Sequence, residues 1–177
     1  MDICILSSAL NQSKYDLLIE NYFDKISKKD GITSLNTAFS IEGSFIHIPK
    51  NVQVDKPIQV IYFSTGKNES VFYQPRNLII VGENSQVEII ERHQSLSENS
   101  VLVNSVSEIY CDVRSVVKHY KIQNDKTNAS LIDNTFVSQE RNSDYSLHTF
   151  SLGGELTRNN LSIIQNGERI ESTINGI

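Results

Sequence analysis

The stretch that decides the fold is HTFSLGGELTRNNLSIIQNGERIESTINGI, residues 148–177. It contains three extended runs, which are separated by Gly153-Gly154 and by Asn166-Gly167. In the last run, residues 170, 172 and 174 share one face of an extended chain, and this period-two alternation between glycine turns predicts β-strands. The final residues resemble another turn. We therefore expect the chain to be part of a longer β-ladder whose last edge is open.

Similar extended runs continue back to residue 43. They are rich in β-branched residues, and turn segments such as Pro49-Lys50-Asn51, Gly66-Lys67-Asn68 and Gly82-Glu83-Asn84 separate them. The predicted strands before the closing stretch cover residues 45–48, 58–63, 78–81, 87–90, 101–109, 113–122 and 129–137. We therefore predict a mainly β body over residues 43–177.

Many short strands with frequent turns fit a β-sandwich, a β-barrel or a β-solenoid. In a sandwich, Asn166-Gly167 would form a type I′ hairpin turn. Two features favour a solenoid, because Asn- and Gly-containing turns recur between polar strands and the chain has only 3 prolines. Corners of small polar residues suit stacked coils. No strict repeat length is visible, so the residues alone leave both the sandwich and the solenoid open.

The residues before Gly43 follow a helical pattern. Apolar side chains recur at steps of three and four between residues 11 and 30, which predicts one amphipathic helix with a continuous apolar stripe. Gly31 suits the left-handed position after the end of this helix. A second helical turn is predicted over residues 33–39. The expected organisation is a helical segment over residues 1–42, followed by the β body.

The formal net charge of -5 argues against a nucleic-acid partner, which usually requires a basic face. The longest apolar runs are too short to cross a bilayer, and the N-terminus lacks the pattern of a secretory signal. We therefore expect a cytoplasmic protein that binds neither nucleic acid nor a membrane. Cys4 and Cys111 belong to no CxxC pair, which predicts reduced thiols. We expect Cys111, near a strand boundary, to be the more reachable thiol.

The histidines do not form a metal-binding pattern. His47, His93, His119 and His148 are scattered, with no HxH or HExxH spacing, so no metal site is predicted. We expect His47 and His119 to point outward from strands whose neighbouring residues point inward. His148 is expected to be partly buried, because it shares a strand face with Phe150 and Leu152, and it is a candidate binding residue.

The segment Glu91-Arg92-His93 places an acid, a guanidinium and an imidazole in three consecutive residues. Adjacent residues of a strand alternate faces, so the three side chains are not expected to converge on one substrate, although His93 remains a candidate binding residue. No GxSxG elbow is present, and Gly153-Gly154 lacks the lysine and helix of a phosphate loop.

Paired carboxylates are the remaining source of catalytic chemistry. The spacing does not single out any pair among Asp112, Asp125, Asp133 and Asp144. A carbohydrate-active β-solenoid enzyme that uses paired aspartates is therefore an alternative function. The scarcity of catalytic motifs favours a binding or scaffold protein over an enzyme.

Four phrases of the sequence carry a resemblance to a known family. They are GSFIHIPKNVQVDKPIQVIY at 43–62, QPRNLIIVGENSQVEIIERH at 74–93, HYKIQND at 119–125 and SLGGELTRNNLSIIQNGE at 151–168. Together they resemble the SufB/SufD family of iron–sulfur cluster assembly proteins, and its SufD branch in particular. The resemblance runs from about residue 33 to residue 177.

This resemblance implies a right-handed parallel β-helix with a short N-terminal α-helical segment. It also implies a non-enzymatic role in a cytoplasmic complex that builds iron–sulfur clusters. In that family a SufD subunit pairs with SufB, is contacted by the ATPase SufC and is associated with iron entry. The cluster is thought to form at the SufB–SufD interface.

The family's later coils, its C-terminal helical region and its interface histidine would follow residue 177. The resemblance therefore implies a chain truncated before the C-terminal helical region, and it places neither a cluster ligand nor a cofactor on these residues. Arg158, in Leu-Thr-Arg-Asn-Asn, matches a motif position; we expect it to bond neighbouring turns and keep it as a candidate binding residue. The open last coil predicts self-association.

Overall fold

Each turn of the chain places one strand in each of two parallel sheets. The computed structural model describes residues 1–40, 42–66 and 69–177, and it forms a β-solenoid of about 4 turns. The first sheet is built from β2 (Ser44–Ile48), β5 (Arg76–Val81), β7 (Val101–Cys111), β9 (Ala129–Gln139) and β11 (Leu156–Gln165). The second sheet is built from β3 (Ile58–Ser64), β6 (Gln86–Ser95), β8 (Val116–Gln123), β10 (Asp144–Ser151) and β12 (Glu171–Gly176).

Two short strands extend the first sheet, and neither was predicted. β1 (Asp2–Ile5) pairs antiparallel with β2, whereas β4 (Val71–Tyr73) pairs in parallel with β7. All other neighbours in both sheets are parallel. β11 and β12 lie in different sheets, so Asn166-Gly167 forms a corner of the solenoid. The hairpin expected from a sandwich is therefore excluded, and the parallel β-solenoid is confirmed.

One corner repeats on every coil and uses a left-handed backbone. Five stacked residues there have positive φ values between 55° and 62°: Asn51, Asn84, Arg114, Asn142 and Arg169. Their backbones are joined from coil to coil, for example from Asn51 N to Glu83 O at 2.8 Å and from Asn142 N to Glu168 O at 3.1 Å. Asparagine tolerates this conformation better than most residues, which explains the asparagine-rich turns.

The coils shorten along the chain. Stacked neighbours are 33 residues apart at Ser44 and Asn77, 30 apart at Asn77 and Ser107, and 26 apart at Asn134 and Asn160. Because the number of residues per coil changes along the chain, the sequence shows no fixed repeat period, although the corners superimpose in space. The turn segment Gly66-Lys67-Asn68 lies partly outside the described residues.

The main core fills one part of the space between the two sheets. Buried aliphatic residues stack in columns through the coils, including Ile46, Ile79, Ile109 and Val137 from the first sheet. Burying each such side chain contributes about 1.5–3 kcal/mol relative to leaving it exposed. The columns therefore stabilise the stack of coils against separation.

The N-terminal segment covers the outer face of the first sheet, but it is not one long helix. It comprises α1 (Leu6–Leu10), a 3₁₀ turn (Ser13–Tyr15), α2 (Asp16–Tyr22) and α3 (Gly31–Phe39). The predicted apolar stripe does pack against Phe45, Leu78 and Ile80 on the sheet. Gly31 begins α3 and does not end a helix, because Asp30 caps α3 by accepting a hydrogen bond from Thr33 N at 2.8 Å. Among the described residues, no helix is both long and apolar enough to cross a membrane.

A buried ion pair explains why the predicted helix ends early. Glu108 accepts hydrogen bonds from the backbone N–H groups of Asp24 (2.8 Å), Ile26 (3.0 Å) and Ser27 (3.2 Å), so these groups are turned away from helical partners. Arg76 Nη2 donates to the same carboxylate at 2.6 Å, and both side chains are 0% exposed. The pair fastens the N-terminal segment to the outer face of the solenoid.

The start of the first coil depends on Gly43. Its φ is +133°, and a Cβ at this position would lie 1.8 Å from Arg76 O. Because that oxygen belongs to the backbone of a central strand, it has no room to move. Only glycine fits where the chain leaves the N-terminal segment and enters β2.

We predict that Glu108→Gln lowers the free energy of unfolding by about 3–5 kcal/mol, because the buried Arg76 loses its buried carboxylate and keeps only the partly exposed Asp24 at 3.2 Å as a charged partner. Urea unfolding followed by circular dichroism measures the change. The matched control is Glu83→Gln, which breaks an exposed pair with Arg114 (2.6 Å) and should cost less than about 1 kcal/mol. Equal losses in the two variants would contradict the anchoring role of the buried pair.

Candidate functional site

The interior of the solenoid contains a cluster of buried ionisable side chains beside the aliphatic core. Its members come from the inner faces of β6, β8, β9 and β10. We call them the interior polar cluster: Glu91, His93, His119, Lys121, Asp133 and Tyr145. Every member is nearly inaccessible to solvent, so each charge needs a partner inside the protein.

Glu91 lies at the centre of this cluster. Its Oε1 accepts from His93 Nε2 at 2.9 Å, and its Oε2 accepts from His119 Nε2 at 3.1 Å. Since both imidazoles use Nε2 toward a carboxylate, Nε2 carries the proton in each ring. His119 Nδ1 then accepts a hydrogen bond from the Tyr145 hydroxyl at 3.0 Å. The carboxylate thus orients two histidines from neighbouring strands.

Lys121 connects the two sheets across the interior. Its Nζ lies 2.6 Å from Asp133 Oδ2 and 2.7 Å from Thr135 Oγ1, both on β9, and 3.6 Å from Glu91 Oε2 on β6. One ammonium group therefore contacts two carboxylates from two different coils. This arrangement compensates the buried positive charge and links the inner faces of the two sheets.

Burial and charge pairing set the protonation states of the cluster. Burial alone would disfavour ionisation, but the attraction of Asp133 and Glu91 raises the pKa of Lys121. For Glu91, burial is likewise outweighed by Lys121 and the two histidines, so its pKa lies well below the usual range. Burial dominates at His119 and lowers its pKa in spite of the hydrogen bond to Glu91. At neutral pH the lysine and Glu91 are charged and His119 is neutral.

A second layer of polar residues continues the cluster toward the first coil. The Tyr62 ring stacks on His93 with centroids 4.9 Å apart, and the Tyr62 hydroxyl donates to Asn77 Oδ1. Asn77 Nδ2 donates in turn to Ser107 Oγ at 3.0 Å. The polar side chains therefore form a layer that crosses several coils, next to the aliphatic columns.

The cluster corrects one prediction from the sequence, the orientation of His119. His119 is 0% exposed and points inward, not outward. It shares its strand face with Val117, Lys121 and Gln123, whose matching parity on β8 is the signal that would have identified it. Glu91 and His93 face inward together while Arg92 lies on the other face, as strand alternation requires. Reasoning from the sequence missed Lys121.

The three candidate binding residues lie in three separate places. His93 belongs to the interior polar cluster. His148 lies on the outer face of the second sheet, partly buried, where its ring stacks on Tyr120 with centroids 5.1 Å apart. Arg158 is exposed on the outer face of the first sheet and donates from Nε to Asn160 Oδ1 at 3.2 Å, within its own strand. The predicted bond from Arg158 to a neighbouring turn is absent among the described residues.

Two further candidate groups, Cys111 and Asp133, are buried. Cys111 is 1% exposed, and burial raises the pKa of its thiol, so the expectation of a reachable cysteine is wrong. Asp133 is buried and paired with Lys121, which removes it from any sugar-binding groove. Among the described residues, no group of three or more His, Cys, Asp and Glu side chains is placed to hold a metal ion.

We predict that Lys121→Met lowers the free energy of unfolding by about 3–5 kcal/mol, because Asp133 and Glu91 lose their shared cation. The control is Lys118→Met on the same strand, whose pair with Glu88 (3.0 Å) is much more exposed and should be worth less than about 1 kcal/mol. Urea titrations of both variants measure the difference. If Lys118→Met proved as damaging as Lys121→Met, the interior pairing would not be the cause.

The lowered pKa of His119 predicts a pH-dependent stability. Between the folded pKa and the unfolded value of 6.5, the unfolded chain binds a proton that the folded chain excludes. The free energy of unfolding should therefore fall as the pH drops from about 7.5 toward 5. His119→Gln, which retains a donor and an acceptor, should reduce this slope. An unaltered slope in His119→Gln would contradict the assignment.

Comparison with known proteins finds two family models that match consecutive parts of the chain and several relatives that match most of it. The family model for the SUF system FeS cluster assembly SufBD core domain matches residues 62–177, and that for the SufBD protein N-terminal region matches residues 2–60. An iron-sulfur cluster assembly SufBD family protein of Synechocystis sp. is 31% identical over 161 residues, which cover 85% of this chain and 35% of that protein.

Relatives include proteins named for either branch of the family. Iron-sulfur cluster assembly protein SufD of Bacillus subtilis is 29% identical over 124 residues, covering 68% of this chain and 27% of that protein. Iron-sulfur cluster assembly protein SufB of Plasmodium falciparum is 36% identical over 114 residues, covering 63% of this chain and 24% of that protein. The chain spans about a third or less of the length of these curated relatives.

Proposed function

The chain belongs to the SufB/SufD family of iron–sulfur cluster assembly proteins, and on that premise we propose that it is part of a SufD-like scaffold subunit. In this proposal it acts in the cytoplasm with a SufB-type subunit and a SufC-type ATPase, supports cluster formation and iron entry, and is not an enzyme by itself. The observation that carries the proposal is the match of two consecutive family models, one to residues 2–60 and one to residues 62–177.

The interior chemistry supports a framework role. The charged side chains of the interior polar cluster are engaged with one another, and the chain's described cysteine thiols are buried or partly buried. Such groups stabilise and orient the coils without presenting a nucleophile or a base to a substrate. We also propose that the chain is organised as a helical segment over residues 1–42 and a β-helix core over residues 43–177, with the buried Arg76–Glu108 pair joining the two parts.

The test is co-expression of the protein's complete reading frame with the SufB-type and SufC-type proteins of the same organism, with affinity capture through the SufC-type partner. We expect the three proteins to co-purify, because a SufD-like subunit is held in a complex by its partners. The captured complex should transfer an iron–sulfur cluster to an apo-ferredoxin, measured by the visible absorbance of the holo form.

The matched control omits only this protein and keeps its two partners. Cluster transfer should fall severalfold in that sample, while ATP hydrolysis by the SufC-type protein should persist. Failure of the protein to associate with either partner, or undiminished transfer without it, would overturn the proposal.

A further inference from the structure

A polar groove lies on the outer face of the first sheet, beside the N-terminal segment and away from the interior polar cluster. Its volume is about 340 Å³. Lys28 and Asp30 from the N-terminal segment form one wall, and Asn134, Arg158, Asn160 and Ser162 from β9 and β11 form the other. We call it the Arg158 groove.

The orientation of the amide groups in this groove is fixed by Arg158. A guanidinium only donates hydrogen bonds, so Asn160 must present its Oδ1 to Arg158 Nε, at 3.2 Å. Asn160 Nδ2 therefore faces β9 and donates to Asn134 Oδ1 at 2.8 Å. The amide nitrogen of Asn134 is then left as a donor. The three side chains form a chain of hydrogen bonds with a single direction.

The Asn134 amide nitrogen has no hydrogen-bond partner among the described residues, although Asn134 is only 6% exposed. A buried donor without an acceptor costs about 1–3 kcal/mol. In the Arg158 groove this donor accompanies two cations, Lys28 and Arg158, neither of which has a carboxylate within ion-pair distance in the described part of the chain. The groove thus offers several donors together with excess positive charge.

One oxygen of the carboxylate in the groove is engaged at the start of α3. Asp30 is its one carboxylate among the described residues that line it, and it accepts from Thr33 N at the start of α3. Hydrogen bonds from this helix start hold the pKa of Asp30 below its usual range. Asp30 therefore offsets one of the two cations but leaves the donors of Arg158 and Asn134 free for a ligand.

We propose that the Arg158 groove binds an oxyanion, either a phosphate or a carboxylate. The planar guanidinium of Arg158 matches the paired oxygens of such a group and pairs with two of them at once. The Asn134 amide supplies a further donor, and the Lys28 ammonium supplies compensating charge. This site uses residues of β9, β11 and the N-terminal segment, so it forms only in the folded chain. It is independent of the proposed role in cluster assembly.

The test is NMR titration of the ¹⁵N-labelled chain with inorganic phosphate and, in a second arm, with N-acetylglutamate amide, both at constant ionic strength. We expect saturable shifts of the Arg158 Nε–H and Asn134 side-chain NH₂ signals. The ligand with the higher affinity identifies whether the natural oxyanion is a phosphate or a carboxylate. Saturation by either ligand supports the proposal, and the absence of saturable shifts with both would overturn it.

Matched variants locate the site. Arg158→Gln should weaken binding by about tenfold or more, because a charge-assisted bidentate contact is lost. Lys28→Gln should weaken binding by about threefold, since it removes only charge at the rim. The controls Arg141→Gln and Lys25→Gln remove the same charges at exposed positions outside the groove and should leave the affinity unchanged. If the control variants weakened oxyanion binding as much as Arg158→Gln, the binding would come from general electrostatic attraction, and the assignment of the site to the Arg158 groove would be overturned.

Discussion

The constraint on which this structure depends is the need of every coil to hydrogen-bond to the next through its backbone. In a parallel stack, each N–H and C=O points along the solenoid, so a strand finds its partners only if the neighbouring coil follows the same path. The corners must therefore superimpose even though the coils differ in length. The column of left-handed residues from Asn51 to Arg169 is the result, because it gives every coil the same bend at the same place. Extra residues are absorbed elsewhere in the coil.

The outer face of the first sheet shows how the same constraint shapes the N-terminal segment. An apolar sheet face needs a cover, and the stripe between Tyr15 and Phe23 provides it. The cover also encloses Arg76 of β5 and Glu108 of β7, whose charges would be costly if either were unpaired. The carboxylate accepts three backbone N–H groups of the segment, so the pair ends α2 and fixes the turn that follows. This tertiary contact therefore overrides the local helix propensity of the residues that follow α2.

Much of the fold could be predicted from the sequence, because strand positions depend on local alternation and turn residues. The strands over residues 45–48 and 129–137 illustrate this, and the parallel stacking came from the family resemblance. The single long helix could not be excluded, since the side chain that interrupts it, Glu108, is 84 residues from Asp24. The short strand β1 was missed for a similar reason: its partner β2 follows only after the whole helical part of the N-terminal segment.

The candidate site was harder to predict than the fold, because the usual rule that charged residues point outward fails inside this solenoid. His119 and Lys121 alternate with Lys118 and Tyr120, and only the parity shared with Val117 indicates which set is buried. Alternation therefore identifies two faces of a strand but not which face is inside when both carry polar residues. The partners of Lys121 are equally hidden, since Asp133 comes from the other sheet and Glu91 from the preceding coil.

This arrangement gives the interior polar cluster a role that aliphatic columns do not have. A column of Ile and Val residues packs almost equally well when one strand slides by two residues, because the same face remains inside. The cluster removes that degeneracy: if β8 slid by two residues, Lys121 would move away from both of its carboxylates and His119 would leave Glu91. Replacing a buried ion pair by well-packed apolar residues is often neutral or stabilising. The contribution of the ion pairs to the free energy of unfolding is therefore not what distinguishes the cluster from the aliphatic columns. The pairing requirement of these charges specifies one register, and through Asp133 it fixes the position of β9, whose outer face carries Asn134 of the Arg158 groove.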